Sequence, residues 1–371
     1  MSAERQWLSA AAYPAPRRVQ PANDTLNADT AYRLMCEGTA LLWQGDFINA
    51  RLLLQAVQRR VERKLPVAAA ADSPEQAFHK HRQAQAQRAR ILALLLVPVE
   101  TDGSIPLRRS PDWHEDIEAV YGRLEAPAMV SLRELQGVHG AGEWRRRGVA
   151  IAALGGHTIH PWHGVFSPVR GEYLELLEHA PLPSQAERAL DVGTGTGVIA
   201  ALLARRGIAK VVATDKQLQA LACARDNLNR LGLASRVQVR EADLFVDGVF
   251  DLLVCNPPWL PGKPATPLES AIYDPDSRML RGFLAGAAKH LAPTGEAWLI
   301  LSDLAERLEL RSRQQLLDWI NQAGLRVLDR LDVRPRQRAN AKRTPGMAVD
   351  ALEAARRAEI TSLWRLAHSP V

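Results

Sequence analysis

The chain has 371 residues, enough for about two domains and a full hydrophobic core without covalent staples. Hydrophobic residues make up 47% and charged residues 24%, which excludes a disordered, collagenous or coiled-coil chain, and three distant cysteines (Cys36, Cys223, Cys255) exclude a disulfide framework or a zinc knuckle. The net charge of +6 permits an acidic partner without demanding one, and the lack of a leader h-region or of the ~18–20 apolar residues that span a bilayer predicts a cytoplasmic protein with no membrane partner.

Residues 1–28 hold three prolines and no periodicity, and read as an irregular lead-in. Asp29 has the chemistry of a helix N-cap, and a helix is predicted through Leu34, Met35, Leu41 and Leu42. Gly45 breaks it and Asp46 caps the next, where Phe47, Ala50, Leu54, Val57 and Val61 recur three and four apart until Pro66. The pair predicts an αα-hairpin. A third helix is predicted from Pro74 to about Leu95. Its middle carries His79, Lys80, His81, Arg82, Arg88 and Arg90 without an acid, which reads as a solvated basic face or as one that contacts phosphates. Ser131 to Trp144 has no firm assignment, and Arg145, Arg146 and Arg147 form a second basic cluster. Residues 1–147 show no catalytic signature and are expected to form a mainly helical recognition domain.

From residue 148 to residue 371 short apolar strands alternate with helices. Strands are predicted at Val149–Leu154, Arg188–Val192, Lys210–Thr214, Arg236–Arg240, Val249–Cys255 and Ala297–Leu301, with helices at Val198–Arg206, Lys216–Leu231 and Arg281–Leu291. This alternation implies an α/β fold, a doubly wound and mostly parallel sheet that binds ligands at its strands' carboxyl ends. Gly193, Gly195 and Gly197 follow one such strand at once. Their spacing differs from a dinucleotide fingerprint, since position 198 is valine, and the Gly-Lys-Ser/Thr of a P-loop is missing. Asp215 ends the next strand, where a carboxylate suits two ribose hydroxyls. Asp243 follows the strand after that, beside Leu244 and Phe245, a setting for an adenine ring and its amino group.

The run Asp251–Cys255 then opens into Asn256-Pro257-Pro258-Trp259. Prolines end the ladder and stiffen the loop. The Asn256 side-chain carbonyl and the Pro257 backbone carbonyl are two acceptors suited to the two hydrogens of a planar NH2 group. Trp259 offers a flat face to a planar substrate.

On Ala189 to Ala200, Asp215, Asp243 and Asn256 to Trp259, the segment from about Gly148 to Ala367 resembles the class I S-adenosylmethionine-dependent methyltransferases with an Asn-Pro-Pro-aromatic motif. That group is of the "methyltransferase small domain" type and methylates amino or amide nitrogens. It includes ribosomal RNA guanine-N2, tRNA adenine and release-factor glutamine methyltransferases. The resemblance implies a seven-stranded sheet whose last strand is antiparallel, with Leu325 to Val333 and Glu359 to Ala367 as the last two strands. It implies S-adenosylmethionine as cofactor, with Asp191 among the residues that bind it, Gly193, Gly195 and Gly197 beside the methionine moiety, Asp215 on ribose, and Asp243, Leu244 and Phe245 around adenine. It places Asn256 and Pro257 on the target nitrogen, Asn256 also bordering the cofactor, with Trp259 beside the substrate. Tyrosine or phenylalanine is usual where this chain has Trp259. Phe166 and Pro168 match a Phe/Pro segment that covers the cofactor in similar enzymes; interdomain packing is the competing reading.

His157, His160 and His163 recur every three residues, but Pro161 interrupts them and no acid or cysteine is near, so no metal is expected. Cys255 lacks a visible activating base and reads as a buried strand residue. Arg334, Arg336, Arg338, Lys342 and Arg343 lie between the last two predicted strands, as a solvated loop or a clamp for an acidic substrate. The expected function is N-methylation of a base in RNA, on three basic segments and a pI near 9.5. The alternatives are a protein glutamine as acceptor and, from another class, a non-catalytic cofactor-binding scaffold subunit, against which the intact Asn-Pro-Pro-Trp argues. A dinucleotide-dependent oxidoreductase is disfavoured by Val198 and by the lack of a hydride-site pair.

Overall fold

The structure is a computed structural model, and the residues it describes are 5–65, 73–169, 171–264, 266, 268–335 and 351–370. The chain divides into two compact units, Met1–Glu143 and Trp144–Val371.

The first unit is built around a sheet that the helical expectation missed. Its strands are β1 (Gln6–Leu8), β2 (Arg18–Ala22), β3 (Thr39–Trp43), β4 (Leu95–Val99) and β5 (Ala128–Ser131), in the order β1-β5-β4-β3-β2. Only β4 and β5 run antiparallel; the other neighbours are parallel. The helices are α1 (Ala28–Cys36), α2 (Phe47–Lys64), α3 (Pro74–Leu92), α4 (His114–Tyr121) and α5 (Leu132–Arg147). Leu41 and Leu42 therefore belong to β3 rather than to the first helix, and the expected αα-hairpin is a helix–strand–helix. The reason is burial on both faces: four of five β3 residues and all five of β4 are buried. An apolar run with no polar alternation carries no strand period. Gly38, at φ 81, stops α1 just before β3. The lead-in is not wholly irregular either, since it supplies β1 and β2. Asn27 caps α1, its side chain accepting from the Thr30 amide at 2.9 Å, while Asp29 pairs with Arg60 at 2.7 Å. Asp46 caps α2 as expected, and the five predicted apolar positions of that helix are buried. Pro66 lies outside the described residues.

The second unit holds the doubly wound sheet. After a short antiparallel ribbon of β6 (Val149–Ala150) and β7 (Thr158–Ile159), its strands are β8 (Arg188–Val192), β9 (Lys210–Asp215), β10 (Val237–Glu241) and β11 (Phe250–Cys255). A two-residue pair follows, β12 (Leu260–Pro261) and β13 (Tyr273–Asp274), then β14 (Leu291–Ser302), β15 (Leu325–Val333) and β16 (Thr361–His368). The seven-stranded order is β10-β9-β8-β11-β14-β16-β15; the first five are parallel and β16 is antiparallel to both neighbours. The helices are α6 (Glu172–His179), α7 (Val198–Arg205), α8 (Leu218–Arg230), α9 (Arg278–His290), α10 (Leu304–Arg307), α11 (Arg313–Gln322) and α12 (Ala351–Arg357). The predicted strand Val149–Leu154 stops at Ala150 and becomes a 3-10 turn, because Gly155 and Gly156, at φ 66 and 82, reverse the chain.

Alternation along the central strands sorts side chains onto two cores. Leu252 and Val254 pack with α6 and α7, whereas Leu253 and Cys255 pack with α9 and α11. The chain runs outward from β8 to β10 and returns as β11 on the other side of β8. That reversal opens a crevice at the carboxyl ends of β8 and β11. No helix among the described residues is long and apolar enough to cross a membrane.

Candidate active site

Strand register assembles the site. Val192 pairs with Cys255 on one side and Thr214 on the other, so Gly193, Asn256 and Asp215 leave adjacent strand ends. Gly193, Gly195 and Gly197 have φ values of 73, 54 and 80, in the left-handed region. The amides of Gly193 and Thr194 both donate to the Thr214 carbonyl at 2.8 Å, folding the loop onto the end of β9. The glycines differ in what surrounds them. A Cβ on Gly197 would press on Ala224 of α8 at 3.2 Å, so this glycine serves close packing. A Cβ on Gly193 would collide with the Met279 methyl group of α9, whereas one on Gly195 would meet nothing within 4 Å. The open side of the loop is therefore at Gly195.

Three carboxylates stand around this loop in different states. Asp191 is fully buried; its Oδ2 accepts from the Thr194 hydroxyl at 2.6 Å and the Ala200 amide at 3.1 Å. Its Oδ1 is also buried and has no hydrogen-bond partner. Burial pushes its pKa up to about 7, against the two hydrogen bonds and with a small push from Asp215. Asp215 accepts from the Gly195 amide at 3.1 Å through Oδ2 and from the Gln217 amide at 2.9 Å through Oδ1. Asp243 is exposed and pairs with Arg278 at 3.0 Å.

Beside Asp243, Leu244 takes φ 84 and its carbonyl accepts from the Thr214 hydroxyl at 2.7 Å. The Phe245 ring stacks between Phe283 at 6.0 Å and His290 at 4.6 Å, so it braces α9.

Asn256 and Trp259 are half-buried and Pro257 is buried. The Trp259 indole N–H donates to the Asn256 side-chain oxygen at 2.9 Å. Leu260 pairs at once with β13, whose Asp274 caps α9 by accepting from the Met279 and Leu280 amides at 3.0 and 3.1 Å. Cys255 is buried, and burial drives its thiol well above the ordinary value, with Asp191 and Asp274 adding to the shift. It has no route to a thiolate nucleophile.

Of the remaining sequence candidates, Pro168 is buried and Phe166 exposed, in a segment whose Val165 packs with Ala220 and Cys223 of α8. His160 sets its two ring nitrogens against the Thr158 hydroxyl and the Arg145 carbonyl. Part of the basic surface is structural: Arg88 donates to the Leu65 carbonyl at the end of α2, and Arg145 lies over the Trp162 ring at 4.2 Å. Arg336, Arg338, Lys342 and Arg343 lie outside the described residues. The sequence reading missed Thr194 as a partner of Asp191, and Arg278 and Met279 as neighbours of Asp243 and Gly193. Thr194 stood in the glycine run itself; the α9 residues are brought in by topology and leave no local signal.

The chain is similar in sequence to known proteins. The methyltransferase small domain family matches residues 157–311. A release factor glutamine methyltransferase of Cereibacter sphaeroides is 34% identical over 44% of this chain and 62% of its own length. A ribosomal protein uL3 glutamine methyltransferase of Bordetella pertussis is 39% identical over 29% of this chain and 39% of its own length. A tRNA1(Val) (adenine(37)-N6)-methyltransferase of Parabacteroides distasonis is 30% identical over 49% of this chain and 77% of its own length. The chain thus spans about six-tenths or less of the two glutamine methyltransferases.

Proposed function

The chain belongs to the methyltransferase small domain family, and we propose that it is an S-adenosylmethionine-dependent N-methyltransferase acting on the exocyclic amino group of a base in RNA. The observation that carries the proposal is the strand register that sets the Asn256 and Pro257 acceptors beside the glycine loop. The residues fit the cofactor. Gly195 presents open space, and the partnerless Asp191 oxygen is a buried acceptor of the kind an ammonium group satisfies. Asp191 and the Gly193–Gly197 loop hold the methionine end, Gly195 on the open side and Gly197 seating the loop against α8, with Asp215 on the ribose and Asp243 with Leu244 on the adenine, while Phe166 and Pro168 cover it. Bound there, S-adenosylmethionine supplies an electrophilic methyl group on a sulfonium.

The chain's own part is placement. Asn256 and Pro257 accept the two N–H groups of the target, which draws the nitrogen out of conjugation and exposes its lone pair. The proton leaves to solvent or along those carbonyls. Cys255, held as a thiol by burial, takes no part in the transfer.

RNA as acceptor is supported by the net charge of +6 and by the tRNA adenine methyltransferase of which the chain covers 77%. A protein glutamine is the second reading, supported by the release-factor and uL3 relatives. Its amide NH2 would meet Asn256 and Pro257 in the same way. Tritium transfer from labelled S-adenosylmethionine into total RNA and total protein of a strain lacking this chain separates the two. RNase-sensitive label is expected; label sensitive only to protease would give the acceptor to protein. Asn256→Ala should lower turnover about a hundredfold or more while S-adenosylhomocysteine binds as in the wild type. Retention of more than about a tenth of the turnover would remove Asn256 from the chemistry.

A further inference from the structure

The motif's aromatic residue does more here than offer a ring face. The Trp259 indole N–H donates to Asn256 Oδ1 at 2.9 Å, across the two prolines that separate them. An asparagine amide presents an acceptor on one side and two donors on the other, and rotation by half a turn exchanges them. The indole nitrogen is a donor only. A rotated Asn256 would set its NH2 against the indole N–H, donor against donor. One amide orientation is therefore selected before any acceptor arrives.

The ring cannot follow a rotating amide. Trp259 is half-buried and packs against both cores that flank the central sheet. The next residue, Leu260, is tied by its amide to the Ile272 carbonyl at 3.2 Å, and Pro257 and Pro258 remove the slack between the partners. Phenylalanine at this position would bring no donor. Tyrosine would carry its donor at the far tip of the ring, away from a partner three residues back.

We propose that Trp259 is a positioning residue, which uses its indole N–H to lock the Asn256 amide with its oxygen as acceptor and to leave that oxygen one lone pair for one N–H of the target. This inference rests on the reading of Asn256 given above. It also bears on specificity. With one of its two lone pairs already engaged, Asn256 accepts a single hydrogen, and Pro257 must take the other. The site then suits a nitrogen carrying two hydrogens, and offers nothing to a ring nitrogen with none.

The test is a two-residue cycle with label transfer to total RNA and total protein of a strain lacking this chain, reading kcat, KM, S-adenosylhomocysteine affinity and thermal stability for each variant. Trp259→Phe keeps a ring in the core and removes the donor. It should lower kcat about tenfold, with KM and S-adenosylhomocysteine affinity each within about twofold of the wild type. Trp259→Tyr should behave as Trp259→Phe. Trp259→Phe combined with Asn256→Ala should be no slower than Asn256→Ala alone, because the indole acts only through the amide. The indole N–H proton of Trp259 should be slow to exchange in the wild type and fast in Asn256→Ala. A Trp259→Phe enzyme with wild-type kcat, beside an inactive Asn256→Ala enzyme, overturns this inference and leaves the reading of Asn256 standing. Additive losses in the double variant, with falling thermal stability and S-adenosylhomocysteine affinity, overturn it as well, since they mark a packing role. An active Asn256→Ala enzyme removes both.

Discussion

Asp46 in the first unit and Asp191 in the second are both buried aspartates with different company. The Asp46 carboxylate accepts from Arg108 Nε at 2.9 Å, Arg109 Nε at 2.7 Å and the Ile48 amide at 2.9 Å. These partners, led by Arg109, hold its pKa at about 2. Asp191 has a threonine hydroxyl, one amide and a second oxygen with no partner, and burial pushes it up to about 7. Among the described residues no cation pairs with it at salt-bridge distance. Asp46 has everything its charge needs within the fold, and its work is to cap α2 and tie it to the Arg108–Arg109 loop. Asp191 has no counter-charge among the described residues and burial favours its neutral form; under the function proposed above, the ammonium of the cofactor would be the cation that it meets.

Asp191→Asn tests that difference most directly. A hydrogen bond to a charged group contributes ~1.5–3 kcal/mol, so affinity for S-adenosylhomocysteine should fall about ten- to a hundredfold. 5′-Methylthioadenosine, which lacks the amino-acid end, should bind both proteins within about twofold. Equal losses for the two ligands in calorimetry would mean that Asp191 shapes the loop and touches no ammonium.

Asp46→Ala should leave both affinities unchanged and lower the melting temperature on the order of 5 °C, through the lost cap and two arginines without their carboxylate. The two aspartates also oppose each other with pH. Asp46 has a folded pKa below its unfolded value near 3.8, so its contribution is present above pH 4 and disappears as pH falls toward about 2. Asp191 has a folded pKa above its unfolded value, so the native state holds the extra proton and stability declines as pH climbs from about 4 to 7. Asp191→Asn should flatten that decline in a calorimetric pH series, and Asp46→Ala should not. A decline unchanged in Asp191→Asn would show that Asp191 is already ionised across this range.

The two units also differ in how far their sequences reveal them. In the second, β8 runs into Gly193, β9 ends on Asp215 and β11 runs into Asn256, so these strand ends could be located by residue chemistry as well as by periodicity. Leu325–Val333 matches the observed strand end to end. In the first, β3 and β4 are buried on both faces and show no alternation, so Leu41 and Leu42 of β3 read as helix and β4 falls just past the predicted end of the third helix without a strand signal. Within the candidate site, Gly193, Gly195 and Gly197 were legible because their left-handed backbone favours glycine, and Asp215 and Asn256 because they stand as polar residues where apolar strands end. Phe245 was not legible in the same way: an aromatic beside a strand-end aspartate suits a ligand ring, yet its stacking partners Phe283 and His290 lie on a helix far along the chain. The indole–amide bond at Trp259 was equally hidden, because a ring in a motif shows its face in the sequence and its donor only in the fold.

The smallest effect concerns the third carboxylate of the site. Asp243 is paired with Arg278, but both side chains are largely exposed, at 58% and 75% of their free areas. A pair in such high-dielectric surroundings contributes about 0–1 kcal/mol, far from the closed arrangement at Asp46. Arg278→Ala should therefore shift the melting temperature by less than about 2 °C. It should also release the Asp243 carboxylate as an acceptor for the adenine amino group, and raise S-adenosylhomocysteine affinity about twofold as the competing guanidinium is removed. The gain should shrink as salt increases, because added ions already screen the Arg278 contact. Asp243→Asn keeps an acceptor oxygen while losing the charge, and should bind S-adenosylhomocysteine no better with Arg278 present than without it. A tenfold loss of affinity in Arg278→Ala would instead make the arginine a ligand contact, and Asp243 its anchor.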